Sequence, residues 1–174
     1  MPARCSPLAC RRGGWGFSLI ELMVTVAVLA VGLALAAPAL STQIANYRLR
    51  AAAEGVLNGL NYARAEAVRR NSNVSFTLDA NGAGWTVAQD SPATTLQTRA
   101  NGETPGVTAA STTTSLSVTF TPTGLVDTSG VRLSQIDLST AVSGAETRRI
   151  DIFGGGLIRV CNPTVTTVGD PRRC

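Results

Sequence analysis

Gly16-Phe17-Ser18-Leu19-Ile20-Glu21-Leu22 opens an apolar run that continues to Leu40. Residues 17–40 give 24 positions. At about 1.5 Å per residue, a helix of that length reaches roughly 36 Å, enough for a bilayer core. The run is too long for the h-region of an ordinary secretory signal, and its glycine precedes it where a small-residue cleavage site would follow. A cut at this glycine leaves the hydrophobic segment on the mature chain. Arg4, Arg11 and Arg12 lie before the run. Positive charge on that side predicts an inside N-terminus and an outside C-terminal part. Glu21 is the anomaly. An ionised carboxylate facing lipid costs at least about 2.5–3.5 kcal/mol, so it requires a partner. One reading is an interfacial carboxylate favoured by the helix dipole. The other is neutralisation of the α-amino group that cleavage after Gly16 would free on Phe17, its own or a neighbour's.

Composition narrows the chemistry. All 15 basic residues are Arg, and His is absent. The usual general base, the Schiff-base lysine and the commonest metal ligand are therefore missing. No paired catalytic carboxylates or nucleophile–base set is evident, so the reading is not an enzyme, with no cofactor and no metal. The net charge of +4 is concentrated at the start. Without the three leader arginines, 12 Arg face 11 acids, which is weak ground for a nucleic-acid partner. Cys5 and Cys10 fall in the leader. Cys161 and Cys174 would be exported, where a disulfide is permitted.

Beyond Leu40 the pattern becomes amphipathic. Leu49, Ala53, Val56, Leu60, Ala63 and Ala67 recur at alternating spacings of four and three. That places them on one helical stripe. Arg48, Arg50, Glu54, Arg64 and Arg69 lie largely off it. The stripe is mostly Ala, which fits a sheet laid closely across it. Gly55 and Gly59 each weaken a helix by about 1 kcal/mol relative to Ala. Arg64, Glu66 and Arg70 read as surface ion pairs worth about 0–1 kcal/mol each.

From Val74 the period becomes two. Strands are expected at Val74–Leu78, from Trp85 onward, Leu96–Arg99, Leu116–Phe120, Val131–Leu138, Arg148–Phe153 and Leu157–Cys161. Thr, Val and Ile favour them, and Gly, Pro and Asn punctuate them. Asn101 to Thr114 reads as a polar loop, with Thr108 to Ser115 a mobile surface segment. Gly154-Gly155-Gly156 lacks the lysine and the strand–loop–helix context of a phosphate loop, so it reads as a tight hairpin.

The opening stretch closely resembles the processing site of type IV prepilins and type II secretion pseudopilins. Leu60 to Asn71 with Val74, Phe120-Thr121-Pro122-Thr123-Gly124, and the tail from Cys161 narrow the resemblance. Together they are similar to the FimU/FimT minor pilins and the H-type pseudopilin. The fold this implies is α+β: a long N-terminal helix, transmembrane then amphipathic, packed on a C-terminal antiparallel β-sheet domain. The segments are a leader at 1–16, a transmembrane and assembly helix at 17–40, an amphipathic helix at 41–72 and a β-rich domain at 73–174.

The resemblance also implies roles. A prepilin peptidase would cut Gly16/Phe17 and N-methylate Phe17. Glu21 would guide docking, and Pro38 would mark a helix kink, since proline removes a backbone donor and clashes with the preceding turn. A Cys161–Cys174 bridge would be worth about 3 kcal/mol in the chain-entropy model for a loop of this size. A metal site is the alternative there, disfavoured with two Cys and no His.

The implied function is a minor pilin of the type IV pilus, in the tip or priming complex. It would start in the inner membrane with a periplasmic domain and end in the filament. Its partners would be prepilin peptidase and other major and minor pilins. Two alternatives stand beside it. One is an H-type pseudopilin of type II secretion. The other is a DNA-binding minor pilin for natural transformation, with a patch of Arg148, Arg149, Arg159, Arg172 and Arg173. The DNA-binding relatives carry Gly-Arg-x-Arg, whereas this chain has Gly156-Leu157-Ile158-Arg159. Glu146, Asp151 and Asp170 oppose the patch, and no aromatic is interleaved for stacking.

Overall fold

The computed structural model describes residues 16–80 and 82–174. The leader cysteines and arginines lie outside the described residues. One helix, α1 (Leu19–Arg70), carries both the apolar run and the amphipathic stretch and contains Pro38. The chain divides after Pro38 into two compact units, Met1–Pro38 and Ala39–Cys174.

In the first unit the helix is exposed throughout, and Phe17, Leu19, Ile20, Leu22 and Met23 show most of their surface. An 18-residue window of α1 has a mean hydropathy of 2.5, and none of it is buried within the protein.

In the second unit, Leu49, Ala53, Val56, Leu60, Ala63 and Ala67 are all buried, as the stripe predicts. Ala45, Ala52 and Gly59 join them. Eight strands follow: β1 (Val74–Leu78), β2 (Trp85–Gln89), β3 (Thr94–Arg99), β4 (Val107–Ser111), β5 (Ser117–Phe120), β6 (Gln135–Thr140), β7 (Arg148–Ile152) and β8 (Ile158–Cys161). They form two four-stranded sheets of order β3-β2-β1-β5 and β4-β6-β7-β8. Every pairing within them is antiparallel.

The apolar faces of both sheets share one core with the helix stripe. Phe76, Leu78, Val87, Val118 and Phe120 come from the first sheet, and Ile136, Leu138 and Ile150 from the second. Fully burying side chains of this size is worth about 1.5–3 kcal/mol each. The small helical residues let the first sheet come close. A Cβ on Gly59 would sit 2.7 Å from the Trp85 indole, and one on Gly55 would collide with the Arg99 guanidinium. The two glycines that weaken the helix are thus the places where side chains of β2 and β3 rest on its backbone.

α1 ends in a Schellman arrangement. Asn71 takes a positive φ of 49°. Ser72 N–H donates to the Ala67 carbonyl (3.2 Å) and Asn71 N–H to that of Val68 (3.3 Å). Asparagine tolerates this left-handed position better than most residues, and the bonds satisfy carbonyls left over at the helix end.

Two expectations fail. Residues 107–111, read as part of a mobile polar loop, form β4. It pairs with β6 from Val107↔Thr140 to Ser111↔Ile136. Val107 and Ala109 are buried while Thr108 and Ala110 are exposed, an alternation masked by small and polar residues. The strand expected at Val131–Leu138 begins only at Gln135. Residues 133–134 instead cross between the sheets. Leu133 N–H donates to Ser117 O in the first sheet, and Ser134 O accepts from Ile152 N–H in the second, both at 2.8 Å. Ala109 N–H also donates to Gly82 O (3.1 Å), so β4 touches the β1–β2 turn.

Candidate functional site

The N-terminal residues build the first candidate. Gly16, Phe17 and Ser18 precede the helix and are exposed. Nothing lies within 4 Å of a Cβ built on Gly16. Leu22 N–H donates to Ser18 O (3.1 Å), which makes Ser18 the residue where helical bonding begins. Glu21 lies exposed in the first turn, where the helix dipole favours a carboxylate. The Gly16–Phe17 peptide is therefore in irregular chain, with the carboxylate one helical turn beyond.

The second candidate lies where three sequence motifs converge. In Thr121-Pro122-Thr123-Gly124, Gly124 N–H donates to Thr121 O, and Thr121 N–H donates to Leu125 O, each at 2.8 Å. In Phe153-Gly154-Gly155-Gly156, Gly156 N–H donates to Phe153 O and Phe153 N–H to Leu157 O, each at 2.9 Å. These are the same turn twice. Gly124 (φ 77°) and Gly156 (φ 76°) hold the matching left-handed position. Pro122 presets the φ of the first turn's second residue. The turns abut: a Cβ on Gly156 would overlap the Gly124 carbonyl oxygen. Arg64 Nε donates to that same oxygen (3.0 Å). Helix end, proline turn and glycine triplet thereby form one knot.

Arg64 does not make the surface ion pair expected of it. Glu66 takes both its cations from the next turn. Arg69 reaches it at 2.6 and 2.9 Å, and Arg70 at 2.6 Å. These hydrogen bonds, from Arg69 first and Arg70 second, lower the Glu66 carboxyl to about 2 against the opposing effect of burial. Arg70 continues to the Gln89 amide oxygen (3.0 Å), and Gln89 donates to Ser91 O (2.8 Å). The spacing Glu66–Arg69–Arg70 was readable as i,i+3 and i,i+4 pairs. The link to Gln89 was not.

The tail is closed by a Cys161–Cys174 disulfide with a sequence separation of 13. The Asp151 carboxylate adjoins it, with Oδ2 3.5 Å from Cys161 Sγ. Both sulfurs are committed to each other, so neither is a thiolate ligand for a metal. Asn162 N–H donates to Arg172 O (2.6 Å).

The five arginines of the DNA reading lie on or beside β7, β8 and the tail, and most are compensated. Arg148 pairs with Glu146 (2.6 Å), Arg149 with Asp137 (2.6 Å) and Arg172 with Asp170 (2.8 Å). Arg172 lowers the Asp170 carboxyl to about 2, and Asp137 raises Arg149. Arg159 donates to the carbonyl of Arg173.

The comparisons agree with this geometry. A family model described as type II transport protein GspH matches residues 52–156, from the helix stripe to the glycine triplet. The chain belongs to the GspH family. The prokaryotic N-terminal methylation motif matches residues 16–37. The type II secretion system protein H of Xanthomonas campestris pv. campestris is 33% identical over 84 residues, covering 48% of this chain and 49% of that protein. The GspH-family chain thus spans about half the length of the curated relative it matches. The type IV minor pilin FimU of Pseudomonas aeruginosa has a crystal structure similar to this fold, with a TM-score of 0.52 and 25% identity. That match covers 64% of this chain and 87% of FimU. The minor pseudopilin EpsH of Vibrio cholerae, from its type 2 secretion system, shares the fold at a TM-score of 0.52 and 13% identity, over 68% of this chain and 99% of EpsH. A GspH-family chain with this N-terminal motif is built as pilins and pseudopilins are: one long helix packed on antiparallel sheets.

Proposed function

We propose that the chain is a minor subunit of a type IV pilus, inserted in the inner membrane with its sheet domain in the periplasm and assembled into the tip or priming complex. The observation that carries this reading is the N-terminal methylation motif over residues 16–37, which begins in irregular chain and runs into an unburied apolar helix. That helix requires lipid before assembly and other such helices after it. Prepilin peptidase cuts Gly16/Phe17 and methylates Phe17. Glu21 then meets the new positive N-terminus of a neighbouring subunit, which removes the cost of a lone carboxylate among apolar helices. Pro38 gives the helix a point at which it bends when packed in a filament.

The test is in the native host. Gly16→Ala is expected to accumulate uncut precursor. Glu21→Ala is expected to be processed yet excluded from filaments. Full processing of Gly16→Ala, or intact assembly after gene deletion, would overturn the reading. A second reading, the H-type pseudopilin of type II secretion, is supported by the family model and the Xanthomonas relative. Deletion that stops exoprotein secretion while sparing pili selects it. The DNA-receptor reading is weakened by Glu146, Asp137 and Asp170, which already occupy three of its five cations.

A further inference from the structure

The knot of paired turns displays an apolar patch at the C-terminal end of α1. Val68 is 54% exposed, Leu125 49%, Phe153 46% and Leu157 61%. They are neighbours by construction. Val68 lies 3.3 Å from a Cβ built on Gly124, whose carbonyl meets Gly156. Leu125 and Leu157 each follow the left-handed glycine of its turn, and Phe153 opens the second turn. Large apolar side chains clustered this way on a surface mark an interaction site. Their backbone is preorganised by the turn hydrogen bonds and by Arg64, so docking orders little.

Charge decides what covers the patch. Arg64 flanks one side of the glycine triplet, 3.1 Å from a Cβ on Gly156, and Arg132 flanks the other, 4.0 Å from one on Gly154. Among the described residues neither guanidinium has a carboxylate within ion-pair distance. Arg132 Nε is in addition buried without a hydrogen-bond partner. The other arginines around this end of the fold, Arg69 and Arg70, are held by Glu66. A patch flanked by two cations without carboxylate partners selects an apolar segment bordered by carboxylates.

We infer that the knot is a docking surface for a different pilin-class subunit, which inserts an apolar side chain between Leu125 and Leu157 and sets carboxylates against Arg64 and Arg132. This rests on the assembly reading above and names the surface through which the globular domain takes part in it.

The experiment places a benzophenone amino acid at Leu157 of the full-length chain, expressed in its own host in place of the wild type. The same probe at Val168, 85% exposed in the tail, is the control. Illumination is expected to give one adduct at Leu157 and none at Val168. Peptide mapping should find a different chain with an N-terminal methylation motif, joined beside acidic residues. Arg132→Glu is expected to reduce the adduct at least fivefold and Arg132→Lys to keep it. If Arg132→Glu fails to fold, Thr128→Glu adds a carboxylate on the exposed loop beside Gly154 and is expected to act alike. An adduct with lipid, with a second copy of this chain or equally at Val168 overturns the proposal. So does no adduct at Leu157, or an adduct indifferent to these charge changes. If the adduct is absent while Glu21→Ala still blocks assembly, the patch is refuted and the assembly reading stands.

Discussion

Replacing Gly156 by Ala tests the knot directly, because three separate costs fall on one methyl group. The φ of 76° is left-handed, which costs an L side chain about 1–2 kcal/mol. The new Cβ overlaps the Gly124 carbonyl oxygen, and that backbone group cannot turn away as a side-chain tip would. Overpacking of this kind costs about 1–3 kcal/mol. The oxygen is also the acceptor for Arg64 Nε at 3.0 Å, and loosening a bond to a charged donor forfeits part of about 1.5–3 kcal/mol. Allowing for relaxation, the expected loss is about 3–5 kcal/mol, a large share of the ~5–15 kcal/mol of an ordinary domain. Gly155 is the internal control, since nothing lies within 4 Å of its Cβ and its φ is not left-handed. The assay is urea unfolding of the unit from Ala39 onward. With a slope of about 1–3 kcal/mol/M, Gly156→Ala should lower the midpoint by about 2 M and Gly155→Ala by little. A double-mutant cycle with Arg64→Met should show the two losses to be less than additive by about 1 kcal/mol or more, because both remove the same contact. Equal midpoints for the two alanine variants, or strict additivity with Arg64→Met, would refute the reasoning.

Three further outcomes follow from other contacts. Glu66 titrates near 2 when folded, below the ordinary 4.5, so its pairing stabilises fully above about pH 4.5 and is lost as pH falls toward 2. The shift corresponds to at most about 3 kcal/mol, and exposure of Arg69 reduces this to about 1–2; Glu66→Gln should remove that part of the acid limb in midpoints measured from pH 7 to pH 2. Gly59→Ala should destabilise the domain by about 1–2 kcal/mol despite its better helix propensity, because its Cβ meets Trp85 at 2.7 Å; a raised melting temperature would show that the indole moves freely. Gel shifts of the soluble unit with DNA should show no binding that weakens steeply between about 50 and 200 mM salt; such weakening would restore the DNA reading.

The elements legible beforehand are those whose signal is periodic. The helix stripe from Leu49 to Ala67 and the strands at Val74, Ser117 and Arg148 carry their own apolar pattern over several residues. β4 was missed because its inward residues, Val107 and Ala109, are small and its neighbours are Thr and Ala. It is a strand because β6 pairs with it, and that partner lies about 30 residues away in the chain. Of the cations read beside Glu66, Arg70 does pair with it, while Arg64 does not; Arg69 takes the second place, since helical spacing allows Arg69 as well as Arg70 and only the fold sends Arg64 to the Gly124 carbonyl.

By itself the sequence determined the long apolar helix and the N-terminal methylation motif at its start, the change from helical to strand period after Asn71, and a cysteine pair placed to close the tail. All depend on order along the chain and on local geometry. Only the tertiary structure decided that the strands form two sheets, that Gly55 and Gly59 make room for Arg99 and Trp85, and that the proline turn and glycine triplet are one turn repeated. The physical reason is the same each time. Arg64, Gly124 and Gly156 share an oxygen across 92 positions of sequence, and no propensity or period encodes which backbone carbonyl a distant guanidinium will reach.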